Sequence, residues 1–194
     1  MILSLEDLSP NQIYYTLIQS IVPRPIAWVL SKNANETHNM APFYFFNGVF
    51  GSPPIASIAA GRKDDGTLKD TWNNIENRSD FVIHIAHIEM ADVMTASAAS
   101  LNEGESEIDF LGLETEAVSD WPIPRLKESR IALLCERFAI HEVGEPTRGL
   151  ILGKVLAAYI ANEIATKDGK RLTPKSWIQL GGSVAMIMPH WVIF

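Results

Sequence analysis

The sequence is short of cysteine and of positive charge, and it contains no long hydrophobic run. Its one cysteine, Cys135, cannot form an internal disulfide and excludes a zinc site built from several cysteines. Sixteen lysine and arginine residues stand against 23 acidic ones, a formal charge of −7, which argues against a nucleic-acid partner. Lys154 and Pro189 break the longest apolar runs before they reach the roughly 18 residues that a membrane helix needs.

Several signals of location and chemistry are also missing. The N-terminus has no basic start followed by an apolar stretch, so no secretory signal is visible and we expect a cytoplasmic protein. The sequence contains no G-x-S-x-G elbow, no Walker-type phosphate loop and no G-x-G-x-x-G fingerprint, which argues against hydrolase, NTPase and Rossmann functions. The five histidines are scattered without ligand spacing, and we expect no metal site.

The remaining composition is that of a globular protein. Of its 194 residues 47% are hydrophobic and 20% charged, enough to bury a core. No repeat and no flexible linker divides the chain, so we expect one domain over residues 1–194.

Strands dominate the predicted secondary structure. Ser9 and Pro10 predict a helix start, and Pro23 and Pro25 its end. Further helices are predicted at 71–77, with Asp70 as the N-cap, and at 90–99, while 101–130 reads as a long irregular segment. Strands are predicted at 26–30, 41–50, 55–60, 81–88, 131–140 and 150–164, the last as two strands or one with a bulge. Strands that follow one another with few helices indicate a mainly β fold, a closed or partly closed barrel.

A cluster of cations is the most informative local feature. Arg62, Lys63 and Lys69 lie within eight residues, between a buried strand and the predicted helix start. The free N–H groups and partial positive charge of a helix N-terminus, with the Thr71 hydroxyl, would suit a phosphate. The alternative is a solvated turn with an ordinary aspartate cap.

An aromatic run is the second feature. Residues 43–46 are all aromatic and lie between Asn39 and Asn47. They could form a slot for a flat polar heterocycle, or they could be a core strand with a polar turn at each end.

Taken in order, these stretches resemble the flavin reductase-like, FMN-binding split-barrel family, which includes flavoredoxins and ferric or flavin reductases. The resemblance covers residues 20–85 and continues at 133–136 and 153–155. It is carried by VPRPIAWV at 22–29, NMAPF at 39–43, FN at 46–47, PP at 53–54, GR at 61–62, KDT at 69–71, NI at 74–75 and FV at 81–82.

The resemblance implies a split β-barrel homodimer that holds FMN non-covalently near the subunit interface. It implies that the isoalloxazine ring is lined by Asn39, Met40 and Ala41. It implies that the ribityl chain and phosphate are held by Ser57, Arg62, Lys69, Asp70 and Thr71, with Asn47 and Asn74 as further contacts. It therefore favours the phosphate interpretation of the cation cluster.

Three positions depart from the family pattern. Tyr44 follows the proline–phenylalanine pair where relatives often have serine, and His84 replaces a frequent asparagine; either would reshape the pocket beside the flavin. His84 is accordingly the one candidate proton donor or substrate contact. The segment at 181–191 does not match the usual ending of the family.

The expected function is an FMN-dependent oxidoreductase that takes hydride from NADH or NADPH and passes electrons to free flavin, ferric iron, a redox protein or oxygen. The alternatives are an FMN-holding electron carrier without NAD(P)H activity, a flavin-free binding protein on the same barrel, and an oxidase acting on a vitamin B6 compound.

Overall fold

In a computed structural model, residues 2–99, 101–102 and 104–166 are described. The segment at 181–191, which departs from the family pattern, lies outside them. The helices are α1 (Pro10–Ser20), α2 (Asp70–Arg78), α3 (Ala91–Ala96) and α4 (Glu107–Leu111), with 3₁₀ turns at Leu5–Asp7 and Ile88–Met90. The strands are β1 (Ala27–Lys32), β2 (His38–Phe43), β3 (Phe46–Gly51), β4 (Pro54–Ala60), β5 (Asp80–Ile85), β6 (Thr115–Glu116), β7 (Arg125–Leu126), β8 (Ile131–Val143) and β9 (Arg148–Ile160).

Seven strands form one antiparallel sheet in the order β2-β1-β5-β8-β9-β4-β3. Strands β2 and β3 lie at opposite edges of this sheet, although only Tyr44 and Phe45 connect them. The sheet must therefore curl until its edges approach at this connection. The predicted mainly β barrel with few helices is confirmed.

Each face of the curled sheet buries its own apolar cluster. Alternate residues of β1 separate them: Ala27 and Val29 point to one side, Trp28 and Leu30 to the other. The first cluster draws on six strands and on α2, and it fills the barrel. The second lies outside the barrel, under α3, α4 and β7.

Two glycines of β9 make room for the aromatic rings inside the barrel. A Cβ at Gly153 would lie 2.4 Å from the Phe81 ring, and one at Gly149 would lie 2.9 Å from the Trp72 indole. Trp72 belongs to the first turn of α2, so this close contact fixes where that helix begins against the barrel.

Several boundaries differ from the predicted ones. The segment at 41–50 is two strands joined at Tyr44 and Phe45. The segment at 150–164 contributes one long strand with a bulge at Leu156, and its partner β8 has another at Phe138. The segment at 101–130 contains α4 and the β6–β7 pair. The predicted cap is wrong: Lys69 is the N-cap of α2, and Asp70 is its first helical residue, where it pairs with Lys63. No described helix is long and apolar enough to cross a membrane.

Candidate functional site

Five buried polar residues connect β1, β2 and α2: Ser31, Asn33, Asn39, Thr71 and Asn74. The Asn39 Nδ2 donates to the Thr71 Oγ1 at 2.7 Å. The Asn74 Nδ2 donates to the Asn33 Oδ1 at 2.7 Å and to the Ser31 Oγ at 3.1 Å. The structure thus brings together three of the residues predicted from the sequence, and the network fixes α2 against the strands.

The N–H groups of the first turn of α2 have no partner within the helix. Its N-cap, Lys69, makes no side-chain capping bond, and no side chain of the described residues accepts a hydrogen bond from the N–H groups of the first turn. Lys69 is exposed and forms no ion pair with any residue that the structure describes. Uncapped N–H groups, a threonine hydroxyl and an unpaired lysine are a donor set that fits a phosphate group.

Asp70 is neutralised by a neighbour. Its carboxylate accepts from the Lys63 ammonium at 2.8 Å, and both side chains are about one-third exposed. Because Lys63 balances this carboxylate, Asp70 adds little negative charge at a place suited to an anion.

Arg62 lies beside the same helical turn. Its guanidinium carbon is 5.2 Å from the centroid of the Trp72 ring, which itself packs on Gly149. One Nη donates to the Gly66 carbonyl at 3.1 Å, and the other pairs with the Glu142 carboxylate at 3.1 Å. A phosphate that recruits Arg62 must therefore compete with Glu142.

The backbone of the predicted ring-lining segment is already engaged. The Met40 N–H donates to the Glu107 Oε2 at 2.9 Å, away from β1. In an antiparallel pair the N–H groups alternate in direction, so those of Asn39 and Ala41 face β1. Flavin contacts at this segment would come from side chains and carbonyl oxygens rather than from free N–H groups, and the predicted role stays a prediction.

Ser57 and Asn47 form a separate pair on the β3–β4 hairpin. They lie opposite each other, and the Ser57 Oγ donates to the Asn47 carbonyl at 3.4 Å. Among the described residues, no hydrogen bond joins this pair to the polar network or to Arg62.

The buried side chain of His84 has a structural role. It is fully buried, and the Leu126 N–H donates to its Nε2 at 2.9 Å, so the network places the proton on Nδ1, which donates to the Trp28 carbonyl at 3.1 Å. Burial lowers the pKa of His84 to about 4. With both nitrogens bonded to backbone and the ring neutral, His84 connects β7 to β5 and is poorly placed to donate a proton to a substrate.

The other departure, Tyr44, packs against the apolar cluster outside the barrel. Burial raises the pKa of its hydroxyl. Across the part of the chain that the structure describes, no three histidine, cysteine or acidic side chains gather as metal ligands.

Sequence reasoning missed Ser31, Asn33, Glu107 and Glu142. Ser31 and Asn33 had a usable signal, because two small polar residues at period two follow an apolar strand and point to one face. The two glutamates reach the site from distant segments and carry no local signal.

Comparison with known proteins shows the family of this chain. Residues 19–173 match the family described as flavin reductase-like domain. An uncharacterised protein of Halalkalibacterium halodurans is 35% identical over 174 residues, 87% of this chain and 83% of that protein.

Solved structures share the fold. Nitrilotriacetate monooxygenase component B from Bacillus cereus superposes with a TM-score of 0.84 at 28% identity, over 94% of this chain and 93% of that one. The 2-nitrobenzoate 2-nitroreductase of Pseudomonas fluorescens has a TM-score of 0.79 at 27% identity, over 89% and 82%. A protein with a split barrel domain from Shewanella frigidimarina, at 16% identity, has a TM-score of 0.78 over 92% and 89%. This chain belongs to the flavin reductase-like family and has its split-barrel fold.

Proposed function

We propose that the chain binds FMN non-covalently and acts as an NAD(P)H-dependent flavin reductase or a flavoredoxin-like electron-transfer protein. The observation that carries the proposal is the uncapped N-terminus of α2, with Lys69 and Arg62 beside it and the Asn39–Thr71 bond behind it. Family membership supports the flavin, and the monooxygenase component and nitroreductase among the similar structures support redox chemistry.

The phosphate is assigned to the first turn of α2, with Lys69, Thr71 and Arg62 as its side-chain partners. Asp70 is kept neutralised by Lys63. The ring is assigned to the segment 39–41 and the ribityl chain to Ser57, with Asn47 and Asn74 as supporting residues. When bound, FMN supplies the two-electron chemistry, and these residues position it and stabilise its charge.

We also propose that the chain works as a homodimer with FMN near the interface. Within the described part of the chain, β3 is an edge strand of the sheet, and the exposed fractions of Phe45, Val49 and Phe50 are 41%, 51% and 68%. An exposed apolar edge of this kind is a liability unless another surface covers it. A second copy of the chain would cover it and bring a second flavin site close by.

The test is to titrate the apoprotein with FMN, remove free flavin, and mix the complex anaerobically with NADH and, separately, NADPH. Retained flavin that bleaches with either nucleotide supports a reductase. Retained flavin that stays oxidised identifies an electron carrier served by another reductase. Turnover of free flavin without retention makes the flavin a substrate. A protein that neither retains flavin nor turns it over refutes the proposal.

A further inference from the structure

Glu107, the first residue of α4, is a buried carboxyl group that the proposed function leaves without a role. Glu107 is 7% exposed, and its Oε2 accepts a hydrogen bond from the Met40 N–H at 2.9 Å. The preceding Ser106 donates from its Oγ to the His38 carbonyl at 2.7 Å. The start of α4 thus satisfies two outward-facing backbone groups of β2.

Those two bonds matter because, among the strands that the structure describes, β2 is an edge strand with β1 as its one neighbour. The outward groups of an edge strand need another partner or water. The groups satisfied by α4 belong to His38 and Met40, on either side of Asn39. The backbone of the segment 39–41 is therefore held from both sides.

Burying a carboxylate to satisfy one N–H costs desolvation free energy, because burial disfavours the charged form. Burial raises the pKa of Glu107, and the nearby Asp70 carboxylate acts in the same direction, while the Met40 N–H and Lys63 act against it. Glu107 therefore contacts the proposed ring-lining segment directly, through the Met40 N–H, and it also feels the charges of Asp70 and Lys63 at the start of α2.

We propose that Glu107 is a positioning residue for the flavin ring: it holds the Met40 N–H and thereby sets the backbone of 39–41 on which the ring rests. The inference rests on the proposed function, since it assumes that this segment lines the ring. On this inference, Glu107 affects how the flavin ring binds and does not contribute to phosphate binding.

The experiment compares two variants that separate the length of the Glu107 side chain from its charge. Glu107→Gln keeps an acceptor oxygen at the same distance and removes the charge, whereas Glu107→Asp keeps the charge and shortens the side chain by one methylene. Each variant is titrated with FMN and with riboflavin, which lacks the phosphate. Arg62→Ala is the control for a phosphate contact, and thermal unfolding of each apoprotein checks the fold.

We expect Glu107→Asp to weaken FMN and riboflavin by the same factor, about tenfold, and Glu107→Gln to stay within about twofold of the wild type. Arg62→Ala should weaken FMN alone. At saturating FMN, the visible absorption band of the bound flavin should shift in Glu107→Asp and not in Glu107→Gln, a change that a loss of stability alone would not produce.

Two results overturn the inference while leaving the proposed function in place. One is a Glu107→Asp variant with wild-type affinity for both flavins, and the other is a loss confined to FMN, which would make Glu107 a residue of the phosphate site. A wild-type protein that binds neither flavin overturns the inference and the proposed function together.

Discussion

Replacing Glu142 with glutamine should make FMN bind more tightly. The Arg62 guanidinium now shares one Nη with the Glu142 carboxylate at 3.1 Å, and a phosphate would need the same donor. The Arg62 side chain is 30% exposed and that of Glu142 57%, so solvent screens the pair and its worth is about 0.2–1 kcal/mol. Removing this competitor should therefore improve FMN affinity by roughly 1.4- to 5-fold.

Arg62→Ala should act in the opposite direction. A charge-assisted hydrogen bond to phosphate contributes about 1.5–3 kcal/mol, and Arg62 gives up about 0.2–1 kcal/mol with Glu142 to make it. The difference, about 0.5–2.8 kcal/mol, corresponds to a loss of roughly two- to a hundredfold in FMN affinity.

The assay is a fluorescence titration of apoprotein with FMN at low and at moderate salt, since screening should shrink both effects. The matched control is Glu136→Gln on β8, the strand that also carries Glu142, which removes a comparable surface partner from Lys154 at 3.0 Å. It should leave FMN affinity unchanged. The reasoning is refuted if Glu142→Gln weakens FMN, or if it tightens FMN equally when Arg62 is already alanine.

Three further predictions concern stability and reactivity. Because burial lowers the pKa of His84 from 6.5 to about 4, protons bind the unfolded chain first as the pH falls. The free energy of unfolding should drop by up to about 3 kcal/mol between pH 6.5 and 4, and His84→Gln should flatten that slope in denaturant titrations. Gly149→Ala places a methyl group 2.9 Å from the Trp72 ring, so it should cost about 1–3 kcal/mol in denaturant unfolding and also weaken FMN through the displaced Arg62. Burial raises the pKa of the Cys135 thiol to about 12, so a thiol reagent should label it in denaturant and not in the native protein; rapid native labelling would contradict the packing.

The elements that the sequence predicts best are those with local signals. The start of α1 is correct because Ser9 and Gln12 form a reciprocal capping box, with Pro10 at the first helical position. The aromatic run predicts one strand because hydrophobicity continues through Tyr44 and Phe45, with no glycine or asparagine at the turn itself. In the barrel the chain leaves one edge of the sheet there and joins the other, a change of direction that only closure of the sheet requires.

For the segment at 101–130, the prediction of irregular structure is wrong for a different reason. Its polar composition and two prolines suggested irregular structure, yet Ser106 caps α4 by accepting from the Asp109 N–H. Gly112 ends the helix in the left-handed region at φ 63°. Both signals are in the sequence, but a five-residue helix has too few turns to show an apolar period. The capping residues Ser106 and Gly112 therefore predict this helix better than hydrophobic periodicity does.

The candidate site divides in the same way. Lys69, Thr71 and Arg62 could be predicted because a strand, a cationic loop and a helix start follow one another along the chain. Glu107 and Glu142 could not, since their partners Met40 and Arg62 lie 67 and 80 residues away. These two carboxylates act on different parts of the proposed flavin: one holds the strand under the ring, and the other competes with the phosphate for its arginine. Ring placement and phosphate affinity are therefore under separate control, which is why riboflavin and FMN should respond differently to substitution at the two positions.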